Sequence, residues 1–174
     1  MDDLINLVDS SGKRIGGIEK LEAHKKGKLH EAFSIFIFNE DRELLLQKRA
    51  KNKYHSGGLW SNTCCSHASL NEPLEEAVHR RLKDELGIDS ELKELFPIVY
   101  TANFPNGLTE NEFDYIFIGF SDAVPKINPS EASDFKWVKI GDLITNINAH
   151  PQDYTEWLKI ILRNESFLKY VLQA

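Results

Sequence analysis

Cysteine is scarce in this sequence, and neither a long apolar run nor an excess of positive charge is present. Only two of the 174 residues are cysteine. Because Cys64 and Cys65 are adjacent, they are poorly placed to bridge each other, and no disulfide framework is expected. The longest apolar run falls far short of a membrane span, and the first residues, MDDLINLVDSSGKR, lack the basic and apolar regions of a secretory signal. We therefore expect a cytoplasmic protein with no membrane partner.

The net charge of −6 argues against a general nucleic-acid partner, because phosphate backbones are bound through an excess of lysine and arginine. Many of the positive side chains lie in the first third of the chain, at Lys20, Lys25, Lys26, Lys28, Lys48, Arg49, Lys51 and Lys53. Such a run is often only a solvated surface, but it also suits a small anionic ligand. The length, without repeats or linkers, predicts one domain over 1–174.

Hydrophobic patterning predicts a chain rich in strands. Strands are expected at 3–8, 14–19, 33–38, 43–49, 94–100, 113–120 and 135–138. The segment FSIFIF (33–38) is apolar on both faces, which is typical of a strand buried on both sides. The polar turn after it predicts that 43–49 returns as its hairpin partner.

Two helices are predicted from apolar residues at helical spacing. The first covers 72–86, with a capping box formed by Ser69 and Glu72 before it and Gly87 as its stop signal. The second is an amphipathic helix over 154–172. Together with the strands, they predict a mixed sheet with helices packed on it.

Three histidines and two glutamates have the side chains of a metal site. His24 and His30 flank a basic segment, His67 follows the cysteine pair, and Glu110 and Glu112 stand at the start of a strand. Residues two apart in a strand share a face, so the two carboxylates are expected to point the same way. Imidazoles and carboxylates together suit an octahedral divalent ion such as Mn2+ or Mg2+. Lone histidines and acidic pairs are also common without a metal, and spacing alone leaves both interpretations open.

The segment SHASLNEPLEEAVHRRLKDELGI (66–88) resembles the Nudix box, a helical motif of hydrolases that cleave diphosphates. The residues in register with that motif are Glu72, Arg80, Leu82, Glu85, Gly87 and Ile88. Arg81 stands where the motif has a glutamate, and arginine offers a donor fork to phosphate in place of a ligand to a cation. The resemblance implies the α/β (α+β) class, with a Nudix-like mixed β-sheet packed between helices, and a hydrolytic helix that has been altered.

Four further segments narrow the resemblance: AHKKGKLHEAFS, LWSNTCCSH, VYTAN and TENE. They are similar to type I isopentenyl-diphosphate isomerase, and the similarity runs from about Val8 to the C-terminal helix. It implies that isopentenyl diphosphate is isomerised to dimethylallyl diphosphate, so that a small isoprenoid diphosphate is the partner. Two departures are visible: the His24–His30 spacing is one residue shorter than in the bacterial form, and Ala68 replaces a usual proline.

The resemblance also implies a role for each matching residue. Cys65 corresponds to the catalytic thiol, Glu112 to the catalytic carboxylate, Tyr100 to its hydrogen-bonding companion and Trp157 to the aromatic residue over the hydrocarbon. The implied ligands of a Mn2+ or Mg2+ ion are His24, His30, His67, Glu110 and Glu112. The residues implied on the diphosphate side are Lys20, Arg49, Lys53 and Arg81, with Glu85 as a ligand of a second Mg2+.

Two other functions remain open on the sequence. One is a Nudix hydrolase that cleaves a nucleoside diphosphate derivative, and Arg81 argues against it. The other is a non-catalytic ligand sensor, and the acid–base pair of Cys65 and Glu112 argues against that. The histidines without a nameable partner, expected at the surface, are His55, His79 and His150. The residues assigned to the core are Trp60, Cys64 and Trp137. The sequence predicts no particular oligomeric state.

Overall fold

A computed structural model describes residues 3–173. Within them the strands are β1 Leu4–Val8, β2 Arg14–Glu19, β3 His30–Phe38, β4 Glu43–Arg49, β5 Trp60–Ser61, β6 Cys64–Ser66, β7 Leu92–Asn103, β8 Thr109–Phe120 and β9 Ala132–Lys139. The α-helices are α1 Lys20–Lys26, α2 Leu74–Leu86, α3 Ile140–Ala149, α4 Glu156–Arg163 and α5 Glu165–Gln173. Every predicted strand is present, whereas α1, α3, β5 and β6 are not among the predictions. No helix in this part of the chain has the length and apolar character needed to cross a membrane.

Strand β3 lies at the centre of the sheet and positions much of the site. Along one edge it runs parallel to β8 for its whole length, from the pair His30–Glu112 to the pair Phe38–Phe120. Along its other edge three short partners follow one another: β1 at His30, β6 at residues 33–35 and β4 at Phe38. The strand is therefore paired on both edges and covered on both faces, and all of its residues are buried, as FSIFIF predicts.

The predicted hairpin between β3 and β4 is wrong over most of its length. The two strands meet at one residue pair, Phe38 with Leu44, and β4 pairs instead with β9. A buried strand needs hydrogen-bond partners on both edges, and β6 supplies them where β4 diverges. As a result, Cys65 of β6 lies opposite Ser34 in the middle of the sheet.

Helices cover both faces of the sheet. On one face Phe36 of β3 and Ile116 of β8 pack in a cluster with residues of α3, α4 and α5. On the other face Ile35 and Ile37 pack against α2 through residues such as Leu82. The prediction of a mixed sheet packed between helices is confirmed.

The predicted C-terminal helix is in fact two helices, α4 and α5, which meet at Asn164. Its Oδ1 accepts a hydrogen bond from the N–H of Phe167 at 3.0 Å, because asparagine side chains readily cap helix N-termini. The break allows Phe167 to enter the core, where its ring lies 4.7 Å from that of Phe36 between centroids. A single amphipathic pattern therefore conceals a change of helix direction.

Helix α2 begins at Leu74, two residues later than predicted. Pro73 holds the N-cap position with ψ at 133°, and a proline disfavours helical geometry in the residue before it. The predicted capping box survives in part, because the N–H of Ser69 donates to the carboxylate of Glu72 at 2.8 Å. The helix ends as predicted, with Gly87 in the left-handed region at φ +63°.

Candidate active site

A cavity of about 460 Å³ opens at the end of β3 that carries His30, a volume typical of small-molecule sites. Its wall brings together most of the predicted site residues: Lys20, Arg49, Lys53, Cys65, His67, Arg81, Glu85, Tyr100, Glu110, Glu112 and Trp157. The other two, His24 and His30, are fully buried beside Glu110 and Glu112. The sequence-predicted residues therefore form one site.

Alternation along the two central strands explains why this site lies at one end of the sheet. His30 shares a face of β3 with Phe36, and Glu110 and Glu112 share the matching face of β8 with Ile116. At the Phe36–Ile116 end this face is hydrophobic core, whereas at the other end it carries imidazoles and carboxylates. The parallel register then sets His30 directly beside Glu112.

Helix α1 brings His24 to the same place. The helix begins after Glu19, whose carboxylate accepts hydrogen bonds from two backbone N–H groups of the first turn, and ends at Gly27 with φ +58°. His24 is fully buried, and its ring centroid lies 4.9 Å from that of His30. The shortened His24–His30 spacing therefore still brings the two rings into contact.

His24 and His30 are both held with one nitrogen aimed at a carboxylate. Each Nδ1 donates to a backbone carbonyl, at 2.6 and 2.7 Å, and because a carbonyl can only accept, the proton of the neutral ring sits on Nδ1. Each Nε2 lies 3.5 Å from a carboxylate oxygen, of Glu110 and Glu112 respectively, without a hydrogen-bond partner in the described residues. Lone pairs that face buried carboxylates need a cation between them, so this arrangement fits a metal ion.

Two overlapping groups of side chains in the described residues could hold such an ion. They are His24, His30, His67 and Glu112, and His24, His55 and Glu110, with the ligand atoms of each group within 4.8 Å of one another. Burial and then the charge of Lys20 lower the pKa of His67 well below its ordinary value, which keeps it neutral as a ligand must be. Burial lowers the pKa of His30, but Glu112 more than offsets this and raises it. The negative charge of Glu112, which raises this pKa, also attracts a metal cation.

Cys65 presents a protonated thiol to the cavity. Its Sγ donates to Oδ1 of Asn62 at 2.8 Å and lies 3.3 Å from Oγ of Ser34, whose hydroxyl donates to Asp114 at 2.7 Å. Burial, together with the negative charge of Asp114, raises the pKa of the thiol well above its ordinary value. Cys65 therefore keeps its proton at neutral pH, as a proton donor must.

The neighbouring Cys64 points away from the site. It is fully buried in the core beside α2, as predicted. Trp60 and Trp137, also predicted for the core, remain partly exposed: Trp137 packs against this cluster, and Trp60 packs against the cluster on the other face of the sheet. Alternation along β6 thus gives the two adjacent thiols opposite surroundings.

Tyr100 of β7 faces Glu112 across the antiparallel pairing of β7 with β8. Its Oη donates to Oε2 of Glu112 at 2.6 Å and lies 3.4 Å from Oε2 of Glu110. Burial alone would raise the pKa of Glu112, but the neighbouring imidazole of His30 and the hydrogen bond from Tyr100 lower it below its ordinary value. Burial, and then Glu112, raise the pKa of Tyr100, so its hydroxyl stays a donor. The site thus contains an ionised carboxylate held by a phenol.

Trp157 of α4 forms an aromatic wall of the cavity. Only 3% of the residue is exposed, and its indole N–H donates to Oγ of Ser61 at 2.9 Å, which fixes the ring. The guanidinium of Arg49 lies 5.0 Å from the ring centroid, within the range of a cation–π contact. The indole can therefore stabilise positive charge in this part of the cavity.

The basic residues predicted for a diphosphate lie on the cavity wall, where two of them are paired with an acidic residue that sequence reasoning missed. Glu131 forms an ion pair with Lys53 and lies 3.4 Å from Arg81. Lys20 lies 3.9 Å from Asp3. The Nε of Arg49 is buried and has no partner among the described residues, which leaves a charged donor for an anion.

Glu85 lies on the same wall with both carboxylate oxygens engaged. One accepts from Arg81 at 2.7 Å and the other from Gln47 at 2.7 Å. Its charge is thus balanced by a protein cation, whereas Glu110 and Glu112 face imidazoles. A cation bound at Glu85 has to share this carboxylate with Arg81.

His55 corrects the sequence prediction most clearly. The sequence predicts a surface residue, but the side chain is 3% exposed and its Nε2 lies 2.8 Å from Oε1 of Glu110. It sits in a polar, glycine-bearing loop without periodicity, so no local pattern indicates which side chain turns inward. His79 lies at the surface as predicted but does have a partner, Asp89, at 2.6 Å. His150 is exposed, as predicted.

Comparison with known proteins supports the same fold. Residues 28–158 match the family model described as the NUDIX domain. The chain also resembles the crystal structure of a Deinococcus radiodurans protein with a TM-score of 0.70 and 20% sequence identity, over 84% of this chain and 89% of that chain. At that identity the likeness shows the fold alone, which is the Nudix fold.

Sequence relatives are more specific. The chain is 48% identical to "Isopentenyl-diphosphate Delta-isomerase 2" of Photorhabdus laumondii, over 96% of this chain and 94% of the relative. It is also 48% identical to the protein of the same name from Aromatoleum aromaticum, over 93% of this chain and 86% of the relative. Identity and coverage of this extent, together with the NUDIX match, place the chain in the isopentenyl-diphosphate Delta-isomerase family.

Proposed function

We propose that this protein converts isopentenyl diphosphate to dimethylallyl diphosphate by moving one double bond. What supports this most is that Cys65 and Glu112 lie on the two strands that flank β3 on opposite edges, and both face one cavity. One is a protonated thiol and the other an ionised carboxylate. Moving a double bond by one carbon needs a proton added at one carbon and another removed two carbons away, which suits such a pair.

The proton transfers are assigned to named atoms. Sγ of Cys65 gives its proton to the terminal alkene carbon, which leaves a tertiary carbocation. Oε2 of Glu112, the oxygen beside Tyr100, then accepts a proton from the chain carbon on the far side of the cationic carbon. The new double bond forms between these two carbons. Nothing is oxidised or reduced, because the hydrocarbon gains one proton and loses another. Exchange with solvent restores the thiol and the carboxylate.

The carbocation needs an electron-rich surface and no water. The indole of Trp157 supplies the surface, with an attraction of about 2 kcal/mol or more once the cation is desolvated. Water would capture the cation, so the cavity has to be dry when the substrate is bound. The burial of Trp157 and Tyr100 supports that requirement.

The residues that fit the first metal ion are His24, His30, His67, Glu110 and Glu112, and we propose Mn2+ or Mg2+ as its occupant. When bound, the ion would fix the Glu112 carboxylate and tune its proton affinity. Oε1 of Glu112 faces His30 and His67, whereas Oε2 faces Tyr100. The carboxylate can therefore bind a metal ion through one oxygen and act as a base through the other.

The diphosphate is held away from the reacting carbons. Lys20, Arg49, Lys53 and Arg81 supply the positive charge, and Arg49 still has a free buried donor. Without substrate, the charge of the Glu85 carboxylate is balanced by Arg81. A second Mg2+ would therefore bind at Glu85 only together with the diphosphate of the substrate. Binding energy from this end serves to position the hydrocarbon between Cys65 and Glu112.

Proton NMR of isopentenyl diphosphate in D2O, with the purified protein and Mg2+ or Mn2+, tests the function. We expect a dimethylallyl signal with deuterium from solvent incorporated, and we expect EDTA to abolish it. Release of inorganic phosphate or pyrophosphate in place of that signal would instead support a Nudix hydrolase. An unchanged spectrum from folded, metal-loaded protein would refute both enzyme assignments.

The adjacent cysteines provide a matched pair of variants. Cys65→Ala removes the proposed acid and should lower kcat by at least roughly 10²- to 10⁴-fold, the usual contribution of a positioned acid or base. Cys64→Ala removes a thiol that faces the core and should leave kcat close to that of the wild type. Similar rates in the two variants would contradict the assignment of Cys65.

A further inference from the structure

His55 is a fourth imidazole beside the three proposed as metal ligands, and the function proposed above gives it no role. It lies in the loop between β4 and β5, and 3% of its side chain is exposed. Its Nε2 is buried and has no hydrogen-bond partner among the described residues, which is also true of Nε2 in His24 and in His30. A buried polar atom without a partner is rare in a native structure and indicates that something else binds it.

The contact between His55 and Glu110 has the spacing of two ligands of one ion. Nε2 of His55 lies 2.8 Å from Oε1 of Glu110, yet the two atoms form no hydrogen bond. Ligand atoms at right angles around an octahedral ion, with bonds of about 2.0–2.1 Å, lie roughly 2.8–3.0 Å apart. Seen from one such atom, its neighbour lies about 45° off the line to the ion, which is too oblique for a good hydrogen bond. Close approach without a hydrogen bond is therefore what two neighbouring ligands show.

His24 connects His55 to the rest of the metal site. Its ligand atom lies within 4.8 Å of those of His55 and Glu110, in one of the two groups described above, and it also belongs to the other group. Because Nδ1 of His24 donates to a backbone carbonyl, the ring has only the lone pair of Nε2 left for an ion. The two groups are therefore parts of one site, and His55 belongs to the same part of it as Glu110.

The second nitrogen of the His55 ring allows Nε2 to act as a ligand. Nδ1 lies 3.2 Å from Oγ of Ser56, and a hydroxyl oxygen can accept the Nδ1 proton. The neutral ring then presents the lone pair of Nε2 to the site. Metal-bound histidines almost always donate their other ring N–H to a nearby acceptor in this way.

Packing and backbone conformation both hold the ring in this orientation. Phe104 stacks on one face of His55, with 4.5 Å between centroids and 14° between planes. Trp157 meets it edge-on at 5.7 Å and 81°. The next residue, Ser56, has φ +53°, a left-handed conformation that is unfavourable for residues other than glycine. Strain of this kind persists only where the surroundings impose it, and it is concentrated at functional sites.

We propose that Nε2 of His55 is a sixth ligand of the metal ion, so that protein side chains alone fill its octahedral coordination. The inference rests on the metal site proposed above and adds one ligand to the five proposed there. A neutral imidazole completes the coordination without adding charge, so that Glu110 and Glu112 still balance a divalent ion.

A closed coordination sphere agrees with the proton chemistry proposed above. A metal ion with an open position can bind water and make it a strong nucleophile at neutral pH. With six side chains bound, the ion has no position for water, and no activated water lies beside the carbocation. The ion would then serve only to hold and tune the carboxylates.

The first test counts the ligand nitrogens. Pulsed EPR is recorded on Mn2+ bound to the full-length protein without substrate, with its histidine side chains labelled with 15N. We expect four coordinated imidazole nitrogens in the wild type and three in His55→Gln. His150→Gln, at an exposed histidine that does not line the cavity, is the matched control and should keep four. Three nitrogens in both the wild type and His55→Gln would overturn the ligand role.

Water proton relaxation by the bound Mn2+ gives a second readout, because it reports water in the coordination sphere. His55→Phe keeps an aromatic ring against Phe104 but opens one position, so we expect a higher relaxivity than in the wild type. Its Kd for Mn2+ should rise by at least roughly tenfold, the lower end of what the loss of only an outer partner of a ligand costs. Equal relaxivity in the wild type and the variant would contradict the closed coordination. Should His55→Phe fail to fold, His55→Asn, whose side chain is shorter, makes the same comparison.

The remaining outcomes distinguish this inference from the function on which it rests. If the wild type binds Mn2+ through three imidazole nitrogens and Glu112→Gln loses the ion, the role of His55 is refuted and the metal site stands. If the wild type itself has no Mn2+ site that depends on Glu112, both proposals fall.

Discussion

Removing one hydroxyl group, that of Tyr100, tests the base half of the proposed mechanism. Tyr100→Phe keeps the ring, which packs beside Trp157, but deletes the Oη that donates to Oε2 of Glu112 at 2.6 Å. The other oxygen of Glu112 faces His30 and His67 and is left unchanged. The variant therefore alters one hydrogen bond to the oxygen that we propose as the base.

The expected magnitude follows from the burial of that bond. A hydrogen bond to a charged group contributes about 1.5–3 kcal/mol, and each 1.36 kcal/mol corresponds to a tenfold change in rate. If the bond is fully used in the transition state, kcat falls by roughly 10- to 150-fold. KM should change little, because the residues proposed to hold the diphosphate keep their side chains.

The assay is the steady-state rate of dimethylallyl diphosphate formation, with Tyr115→Phe as the control. Tyr115 lies on β8 as Glu112 does, but its side chain projects from the opposite face, toward the core beside α2. Its hydroxyl should therefore be dispensable. A Tyr100→Phe enzyme with the kcat of the wild type and an unchanged thermal unfolding curve would refute the assignment of Oε2 as the base.

Three further predictions concern stability and substrate binding. In Asp89, burial raises the pKa, but hydrogen bonds from His79 and Lys83 lower it to about 2, against 3.8 for the unfolded chain. Its stabilisation is present above about pH 4 and lost toward pH 2, so the unfolding free energies of wild type and Asp89→Asn should differ at pH 7 and converge near pH 2. Phe167→Ala empties a fully buried site and should cost about 3–5 kcal/mol in denaturant unfolding. Arg49→Lys keeps the charge but loses the guanidinium fork, and should raise KM for isopentenyl diphosphate by roughly tenfold with kcat nearly unchanged.

The sequence predicts the centre of the fold well, because the decisive information there is local. As a strand, FSIFIF can bury its apolar side chains only if both faces of the strand are covered. Every residue of this segment is indeed buried. The spacing of Glu110 and Glu112 likewise fixes that they share a face, once they lie in a strand. Both features are encoded within a single short segment of the chain.

Other parts of the site depend on contacts that no local pattern encodes. Helix α1 has only seven residues, too few for an apolar periodicity, yet it delivers His24. His55 turns inward because its loop crosses the cavity next to Phe104 and Trp157, which are far away in sequence. The resemblance to a family supplies His24 because the family motif contains it, and it supplies nothing for His55.

The altered Nudix helix explains how a scaffold of hydrolases can carry proton chemistry. Among the residues that match the Nudix box, Glu72 and Arg80 bind each other through two hydrogen bonds of 2.7 Å and so tie the preceding loop to α2. Arg81 lies 2.7 Å from Glu85, so this helix carries a cation on the cavity wall at a position where the Nudix box has a glutamate.

The acid and the base that we propose come instead from the central strands. β6 and β8 flank β3, so Cys65 and Glu112 face one cavity from opposite edges of the same strand. A sheet holds such a separation more rigidly than a loop, and a proton has to be delivered and removed at two positions of a small hydrocarbon within narrow geometric limits. In the function that we propose, the helix therefore helps to hold the diphosphate, and residues of the sheet carry out the proton transfers.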